Sequence, residues 1–267
     1  MKKGTLYVFF SLIFLIACKE DEERVISTDL PTEASQLFIV SNAWSEALFF
    51  TQLSFDQYSN EKSPELPGCP QIILDKTAKR VTLIFDSATS CTQSGTSKRS
   101  GKLILDLALS DSANPVWFLK YENYSFEEAS ITGIRTFTKN SSGVINETFE
   151  TLSHTTKNEL THQFGGDLTH TMNQVNGVAV GLNSKGAIYG RNPAGRTFIF
   201  DFKEKRELSF SCFKNNQLVP VAGKETWQIS RSKTSKVIYN LTYEWKENCK
   251  VEAYVVLPDG RRLLLNP

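Results

Sequence analysis

Residues 69–109 read CPQIILDKTAKRVTLIFDSATSCTQSGTSKRSGKLILDLAL, and they contain three short apolar runs separated by polar turn residues. Val81, Leu83 and Phe85 are two residues apart, so an extended chain places them on one face. The third run repeats this period with Leu103, Leu105, Leu107 and Leu109. The stretch therefore predicts a three-stranded meander that forms the first layer of the core.

The same alternation continues towards the C-terminus. Further strands are predicted in residues 117–126, 129–139, 198–202, 237–245 and 251–257. Pro258-Asp259-Gly260 is a tight-turn signature before a last strand. Because no second long helix is predicted, we expect an all-β, antiparallel domain over residues 61–267, with two sandwich-like sheets.

The middle of the chain is more polar. In residues 140–176 the apolar alternation is thin, and Gly165-Gly166-Asp167 is interpreted as a turn. Residues 182–186 are interpreted as a second turn. This pattern predicts a weak core face, which is typical of an edge or of a seam between two halves, 61–140 and 175–267.

Residues 31–60 have a helical period instead. Apolar residues recur there at Leu37, Val40, Trp44, Leu48 and Phe55. Pro31 suits a first helical turn. We therefore predict one amphipathic helix that packs on the sheet. A helix on a membrane surface is the alternative, but the polar face has few cations.

The N-terminus has the features of an export signal. Residues 1–17 combine Lys2 and Lys3 with an apolar core that is too short to span a bilayer comfortably. Leu15-Ile16-Ala17-Cys18 resembles a bacterial lipobox, which predicts cleavage of a lipoprotein signal peptide and acylation of Cys18, for example with palmitate. Two or three acyl chains would anchor the protein stably in a membrane. The alternative is an ordinary signal peptide with an unrelated cysteine.

Composition limits the class of partner. Removal of the first 17 of the 267 residues would leave 250, enough for one large β domain. Residues 18–30 form an acidic linker, and the whole chain has a formal net charge of +1. No nucleic-acid partner is expected, because no basic excess is present to attract phosphates.

Four cysteines remain after Cys18, and three pairings are possible in an oxidising compartment. We expect sequence neighbours to pair, Cys69 with Cys91 and Cys212 with Cys249. A zinc site is the alternative, but the spacings contain no CxxC half-site.

The chain lacks HExxH, GxSxG and a glycine-rich phosphate loop, so no catalytic residue and no cofactor is predicted. His154, His162 and His170 recur every eight residues, but an intervening glycine pair makes convergence on a metal unexpected, and we predict exposed histidines and no metal site. The strand carboxylates Asp106, Asp201 and Glu244 could form a pair of glycosidase type. Carboxylates on a solvated strand face are the commoner arrangement.

Aromatic residues are the better candidates for ligand binding, because they stack on sugars or anchor protein interfaces. Trp117, Tyr121 and Tyr124 are the predicted ligand-binding residues, and the two tyrosines are expected to be exposed. Tyr243 and Trp245 are in phase with leucine and valine and are expected to lie in the core.

Several of these motifs occur together in one family. The motifs are the lipobox, the acidic linker, the helix, Cys69-Pro70, the strand 81–86, Cys91-Thr92, the basic step 98–102, Ile131-Thr132-Gly133, Cys249 and Asp259-Gly260. In this order the chain resembles a group of Bacteroidota surface lipoproteins. The resemblance implies an all-β body and a lipid-anchored position in the outer membrane, at the cell surface, and it implies no activity. Members usually have Asp and Gly before and after the second cysteine, where this chain has 87–90 (SATS) and 93–94 (QS), so the resemblance does not extend to an ion or ligand site at this turn.

Three functions are compatible with these patterns. The first is a non-catalytic, membrane-anchored lipoprotein whose β-scaffold binds a glycan, a host molecule or a partner protein. The second is an envelope assembly accessory bound to an outer-membrane protein. The third is a glycan hydrolase that uses strand carboxylates.

Overall fold

A computed structural model describes residues 29–60, 66–86, 97–214 and 217–266. Within these ranges, 13 strands form one sheet in which each strand pairs with the next one along the chain, always antiparallel. The order is a pure meander from the first strand to the last. No helix in the described part of the chain is long and apolar enough to cross a membrane.

The strands vary from 3 to 15 residues in length. They are β1 (Gln71–Asp75), β2 (Arg80–Phe85), β3 (Arg99–Leu109), β4 (Val116–Phe126), β5 (Ala129–Lys139), β6 (Ile145–Thr155), β7 (Thr161–Val175), β8 (Val178–Arg191), β9 (Thr197–Ser209), β10 (Gly223–Ser230), β11 (Lys236–Trp245), β12 (Val251–Val256) and β13 (Arg262–Leu264).

The all-β class and the meander at residues 69–109 are confirmed. Val81 pairs with Leu105 and Leu83 with Leu103, and all four side chains are buried. Where we expected a sandwich-like pair of sheets, the strands form one continuous sheet. One face of this sheet carries the core, and the helical segment packs against it.

The two turns predicted in the middle of the chain are wrong. Gly165 and Gly166 lie inside β7, and residues 182–186 lie inside β8. A Cβ atom on Gly166 would lie 2.3 Å from the Phe149 ring, and one on Gly165 would lie 2.9 Å from the Tyr189 ring. These glycines therefore allow close contact within strands, which is the other common role of a strand glycine. Because β6, β7 and β8 pair along their length, the predicted seam between 61–140 and 175–267 is also wrong.

The helix predicted over 31–60 is divided. The structure has α1 (Leu30–Ser45), a 3₁₀ turn (Phe50–Gln52) and α2 (Phe55–Asn60). Side chains of the sheet donate hydrogen bonds to backbone carbonyl groups near the end of α1 and in the 3₁₀ turn. Arg135 donates to the Trp44 carbonyl at 2.9 Å, and Trp117 donates to the Thr51 carbonyl at 3.0 Å. These bonds satisfy carbonyls that a continuing helix would otherwise use.

The helical segment is less amphipathic than predicted. Every residue from 40 to 51 except Asn42 is buried. The polar residues Ser41 and Ser45 are among them, because both form hydrogen bonds with side chains of the sheet. The end of α1, from residue 40 onward, is therefore part of the core.

The predicted Cys212–Cys249 disulfide is confirmed, and it links the short helix α3 (Phe210–Lys214) to the turn between β11 and β12. Cys69 also takes part in a disulfide. Its expected partner Cys91 lies outside the described residues, as do Cys18, the signal peptide 1–17 and most of the linker 18–30.

Candidate functional site

Three carboxylates that are at most 1% exposed, each paired with an arginine, lie between α1 and the sheet. The pairs are Glu46 with Arg99 at 3.1 Å, Glu147 with Arg135 at 2.6 Å, and Glu225 with Arg206 at 2.8 Å. Burial raises the pKa of Glu46. Burial also opposes ionisation of Glu147, but Arg135 and His170 outweigh it and lower its pKa to about 2. Sequence reasoning did not find these pairs, because their members are 12 to 53 residues apart.

Glu147 is the centre of the most extended of these networks. Its carboxylate accepts hydrogen bonds from Arg135 and from the Trp44 indole, the latter at 3.1 Å. His170 Nε2 lies 2.9 Å from the same carboxylate, and His170 Nδ1 lies 2.9 Å from Ser184 Oγ. Serine, histidine and glutamate are thus connected in the order of a hydrolase triad. However, all three are at most 1% exposed, so Ser184 Oγ does not face a substrate.

Glu225 holds the helix at a second place. It accepts hydrogen bonds from Ser41 on α1 at 2.9 Å and from Trp227 on β10 at 2.8 Å. Arg206 and Tyr243 donate to its other oxygen. Two sheet carboxylates thus each bind a donor from α1, which fixes the helix on the core face.

The three predicted ligand-binding aromatics are part of this core. Trp117, Tyr121 and Tyr124 are 6%, 4% and 1% exposed, so the prediction of an exposed tyrosine pair is wrong. The register of β4 shifts between Tyr121 and Tyr124, where Asn123 has a φ of 47°. This bulge turns both rings to the core face although they are three residues apart. None of the three rings can act as a surface binding residue in this arrangement.

The histidines were also predicted to be exposed, and this prediction is wrong. His154, His162 and His170 are all buried. His154 and His162 are partners across β6 and β7, with ring centroids 6.3 Å apart, and His170 lies in the separate Glu147 network. Within the described ranges, no group of three or more His, Cys, Asp or Glu is placed to hold a metal ion.

The strand carboxylates of the hydrolase hypothesis each have a cationic partner on the solvated face. Asp106 pairs with Arg80, Asp201 with Lys203 and Glu244 with Lys246, at 3.3, 3.4 and 3.3 Å. Tyr243 is in the core as expected. Trp245 is 49% exposed, which corrects the prediction that it is buried.

Among the aromatic residues that the structure describes, Tyr189 is best placed to meet a ligand. It lies on the outer face of β8, is 50% exposed, and its ring lies against the Gly165 backbone. No described residue forms a hydrogen bond with its hydroxyl group. The ring separates two open clefts of about 680 and 340 Å³, and it lines both.

The larger cleft is acidic. Its lining combines Gly133, Gly166 and the exposed Ile134 with the exposed carboxylates Glu150 and Asp167. Neither carboxylate forms an ion pair in the part of the chain that the structure describes. Acceptors beside an aromatic ring can bind hydroxyl groups of a ligand that stacks on the ring.

The smaller cleft is basic. Arg191, Thr197, Ser230 and Lys236 line it together with the exposed Ile199.

The sequence contains a signal that Tyr189 is exposed, because Ala187 and Tyr189 are two residues apart on the outward face of β8. Tyr189 was missed because residues 182–186 were interpreted as a turn.

No family model, curated protein or solved structure matches this chain.

Proposed function

We propose that this protein is a non-catalytic lipoprotein of the outer membrane, anchored through acylated Cys18 and displayed at the cell surface. Its β-scaffold binds a saccharide at the outer face of the sheet. The half-exposed ring of Tyr189 between two clefts is the observation that carries this proposal.

The distribution of buried groups supports the outer face as the binding surface. The core face of the sheet is covered by α1 and the segment that follows it, which are held by Glu147 and Glu225. A ligand that entered there would have to displace buried ion pairs, which is costly. The outer face is open, and its clefts need no rearrangement.

The chemistry around Tyr189 suits a saccharide. A flat aromatic ring can stack on the apolar face of a sugar, while neighbouring polar groups bind its hydroxyls. Here Glu150 and Asp167 lie on one side of the ring, and Thr197 and Gln228 lie on the other. The proposal therefore replaces the buried Trp117, Tyr121 and Tyr124 by Tyr189 as the main contact.

A partner protein is the second candidate, and a different observation favours it. The hairpin between β7 and β8 exposes Val175, Val178 and Val180, which are 58%, 65% and 39% exposed. Three exposed valines at one hairpin tip form a small apolar surface of the kind that partner proteins cover. An accessory of an outer-membrane protein would use this tip in place of the Tyr189 clefts.

The saccharide proposal predicts a specific loss on removal of one ring. Tyr189→Ala should weaken the binding of a saccharide identified on a glycan array by about tenfold to a hundredfold, because a central aromatic contact contributes about 1.4–2.8 kcal/mol. Isothermal titration calorimetry measures the change. Trp245→Ala is the matched control, since Trp245 is equally exposed but lies outside both clefts. Equal affinities for the wild type and Tyr189→Ala would refute this role of the ring.

The anchor is tested separately. Cells grown with a clickable palmitate analogue should label the wild type, and Cys18→Ala should abolish the label because the acylated sulfur is removed. Protease added to intact cells should cleave the wild type if it is displayed outside. An unlabelled wild type would contradict the lipid anchor, and complete protection from protease would contradict surface display.

A further inference from the structure

The smaller cleft consists of two rows of residues that cross four strands. Register pairs place Arg191 (β8) beside Thr197 (β9) and Ser230 (β10) beside Lys236 (β11), and a hydrogen bond joins Thr197 to Ser230. The four residues form the row nearest to the hairpin turns. The next row of the cleft consists of Tyr189, Ile199 and Gln228, and the register continues this row to Ile238 on β11. The polar row thus has a cation at each end and two hydroxyl groups between them.

The geometry of the strands fixes the size of the polar row. Neighbouring strands are about 4.8 Å apart, so Arg191 and Lys236 start about 14 Å from each other. Between them, Thr197 Oγ1 donates to Ser230 Oγ at 2.9 Å. Arg191 is oriented by a 3.1 Å bond to the Gly195 carbonyl. A row of this length can contact more than one unit of an extended oligosaccharide.

The charged side chains of the polar row and of the two adjoining hairpin turns are all cationic. Residues 192–196 and 231–235, which form the two adjoining hairpin turns, contain no acidic residue. Arg231, in the second of these turns, donates to the Glu33 carboxylate of α1 at 2.8 Å, so the charge of Arg231 is neutralised on the core side of the sheet. Neither Arg191 nor Lys236 has a carboxylate partner within the described chain. The acidic residues near Tyr189, Glu150 and Asp167, line the other cleft.

We infer that the ligand of the Tyr189 site is an acidic oligosaccharide. It lies across β8 to β11, stacks one sugar on Tyr189, and places carboxylate or sulfate groups on Arg191 and Lys236. This inference rests on the proposed function and adds the charge and direction of the ligand. Charge-assisted hydrogen bonds from cations to anionic groups are the stronger kind, so they select an acidic sugar over a neutral one.

A membrane surface is a poorer fit for the same cations. The polar row lies in a cleft on the face of the strands, where Tyr189 and the exposed side chain of Ile199 lie beside it. A flat layer of lipid headgroups would meet the hairpin turns and not the row. A single extended chain can enter the cleft and contact both rows together.

The test compares a galacturonic acid hexasaccharide with an uncharged galactose hexasaccharide of the same length. The wild type should bind the acidic probe at least tenfold more tightly, and its affinity should fall between 50 and 500 mM salt because screening weakens exposed ion pairs. Arg191→Gln combined with Lys236→Gln should lower the affinity for the acidic probe about tenfold or more. The matched control is Lys185→Gln with Lys203→Gln, which removes the same charge from exposed positions on β8 and β9.

The outcomes separate this inference from the proposed function. If the neutral probe binds equally well and only Tyr189→Ala loses affinity, the saccharide site stands and the acidic preference is wrong. An unchanged affinity in the double variant, with a melting temperature equal to the wild type, also overturns the inference. Arg191→Gln alone provides the same test if the double variant is unstable. Binding to anionic vesicles but to neither soluble probe would overturn both the acidic preference and the saccharide site.

Discussion

Replacement of Glu147 by glutamine is expected to lower the free energy of unfolding by about 3–5 kcal/mol. Arg135 is completely buried and donates to this carboxylate at 2.6 Å, so a neutral amide would leave its charge without a counter-ion. His170 and the Trp44 indole would lose the same charged partner. Urea unfolding, followed by tryptophan fluorescence, measures the change.

The matched control is Glu150→Gln, three residues further along the same strand. Glu150 is exposed and has no ion pair within the described residues, so its replacement should change stability by about 0.5 kcal/mol at most. The two variants remove the same charge from β6, on opposite faces of the sheet. A loss below about 1 kcal/mol for Glu147→Gln would show that the buried network does not hold α1 on the sheet.

The sign of the pH effect gives an independent check on Glu147. Its folded pKa of about 2 lies below the ordinary value of 4.5, so its contribution to stability is complete above pH 4.5 and is lost as the pH falls towards 2. The glutamine variant cannot titrate at this position. Its stability relative to the wild type should therefore improve as the pH falls through this range.

The pattern of apolar residues was sufficient to predict most strands. β2, β4, β5, β11 and β12 were found from alternation, because their inward residues, such as Leu83 and Leu241, are apolar and most of their outward ones are polar. The same rule failed where a glycine occupies a strand. Gly165 and Gly166 were interpreted as a turn, since sequence alone does not show that the Phe149 and Tyr189 rings fill the space of the missing side chains.

The buried charged residues and histidines were harder to predict than the strands for a physical reason. Polar residues are usually exposed, so His154, Arg135 and Glu147 were not considered as core residues. Their burial depends on partners from other strands and from α1, and single-sequence patterns do not contain such pairings. The predicted exposure of Tyr121 and Tyr124 was wrong because a bulge shifts the phase of β4 between them. No glycine or proline marks this bulge in the sequence of β4.

Acidification from pH 7 to pH 5 is expected to destabilise the protein through the pair His154 and His162. Both rings are buried, 1% and 2% exposed, and their centroids are 6.3 Å apart. The Nδ1 atoms of both lack a hydrogen-bond partner among the described residues. Burial lowers the pKa of each to about 4, and for His162 the neighbouring His154 adds to the effect.

The direction follows from proton uptake on unfolding. In the unfolded chain each histidine has a pKa of about 6.5 and binds a proton below that pH, whereas the folded pair stays neutral down to about pH 4. The unfolded state therefore gains protons between pH 6.5 and pH 4, and stability falls over this window. With about 1.36 kcal/mol per pKa unit, each histidine contributes about 2 kcal/mol of destabilisation at pH 5, or about 4 kcal/mol together.

The variant His154→Leu with His162→Leu isolates this contribution, because the other titrating groups remain. Urea unfolding at pH 7 and at pH 5 should show a drop for the wild type that is about 4 kcal/mol larger than the drop for the variant. His162→Leu alone should remove about half of the difference, and it serves as a second measurement if the double variant folds poorly. Equal drops in the wild type and both variants would mean that the rings are protonated in the folded state.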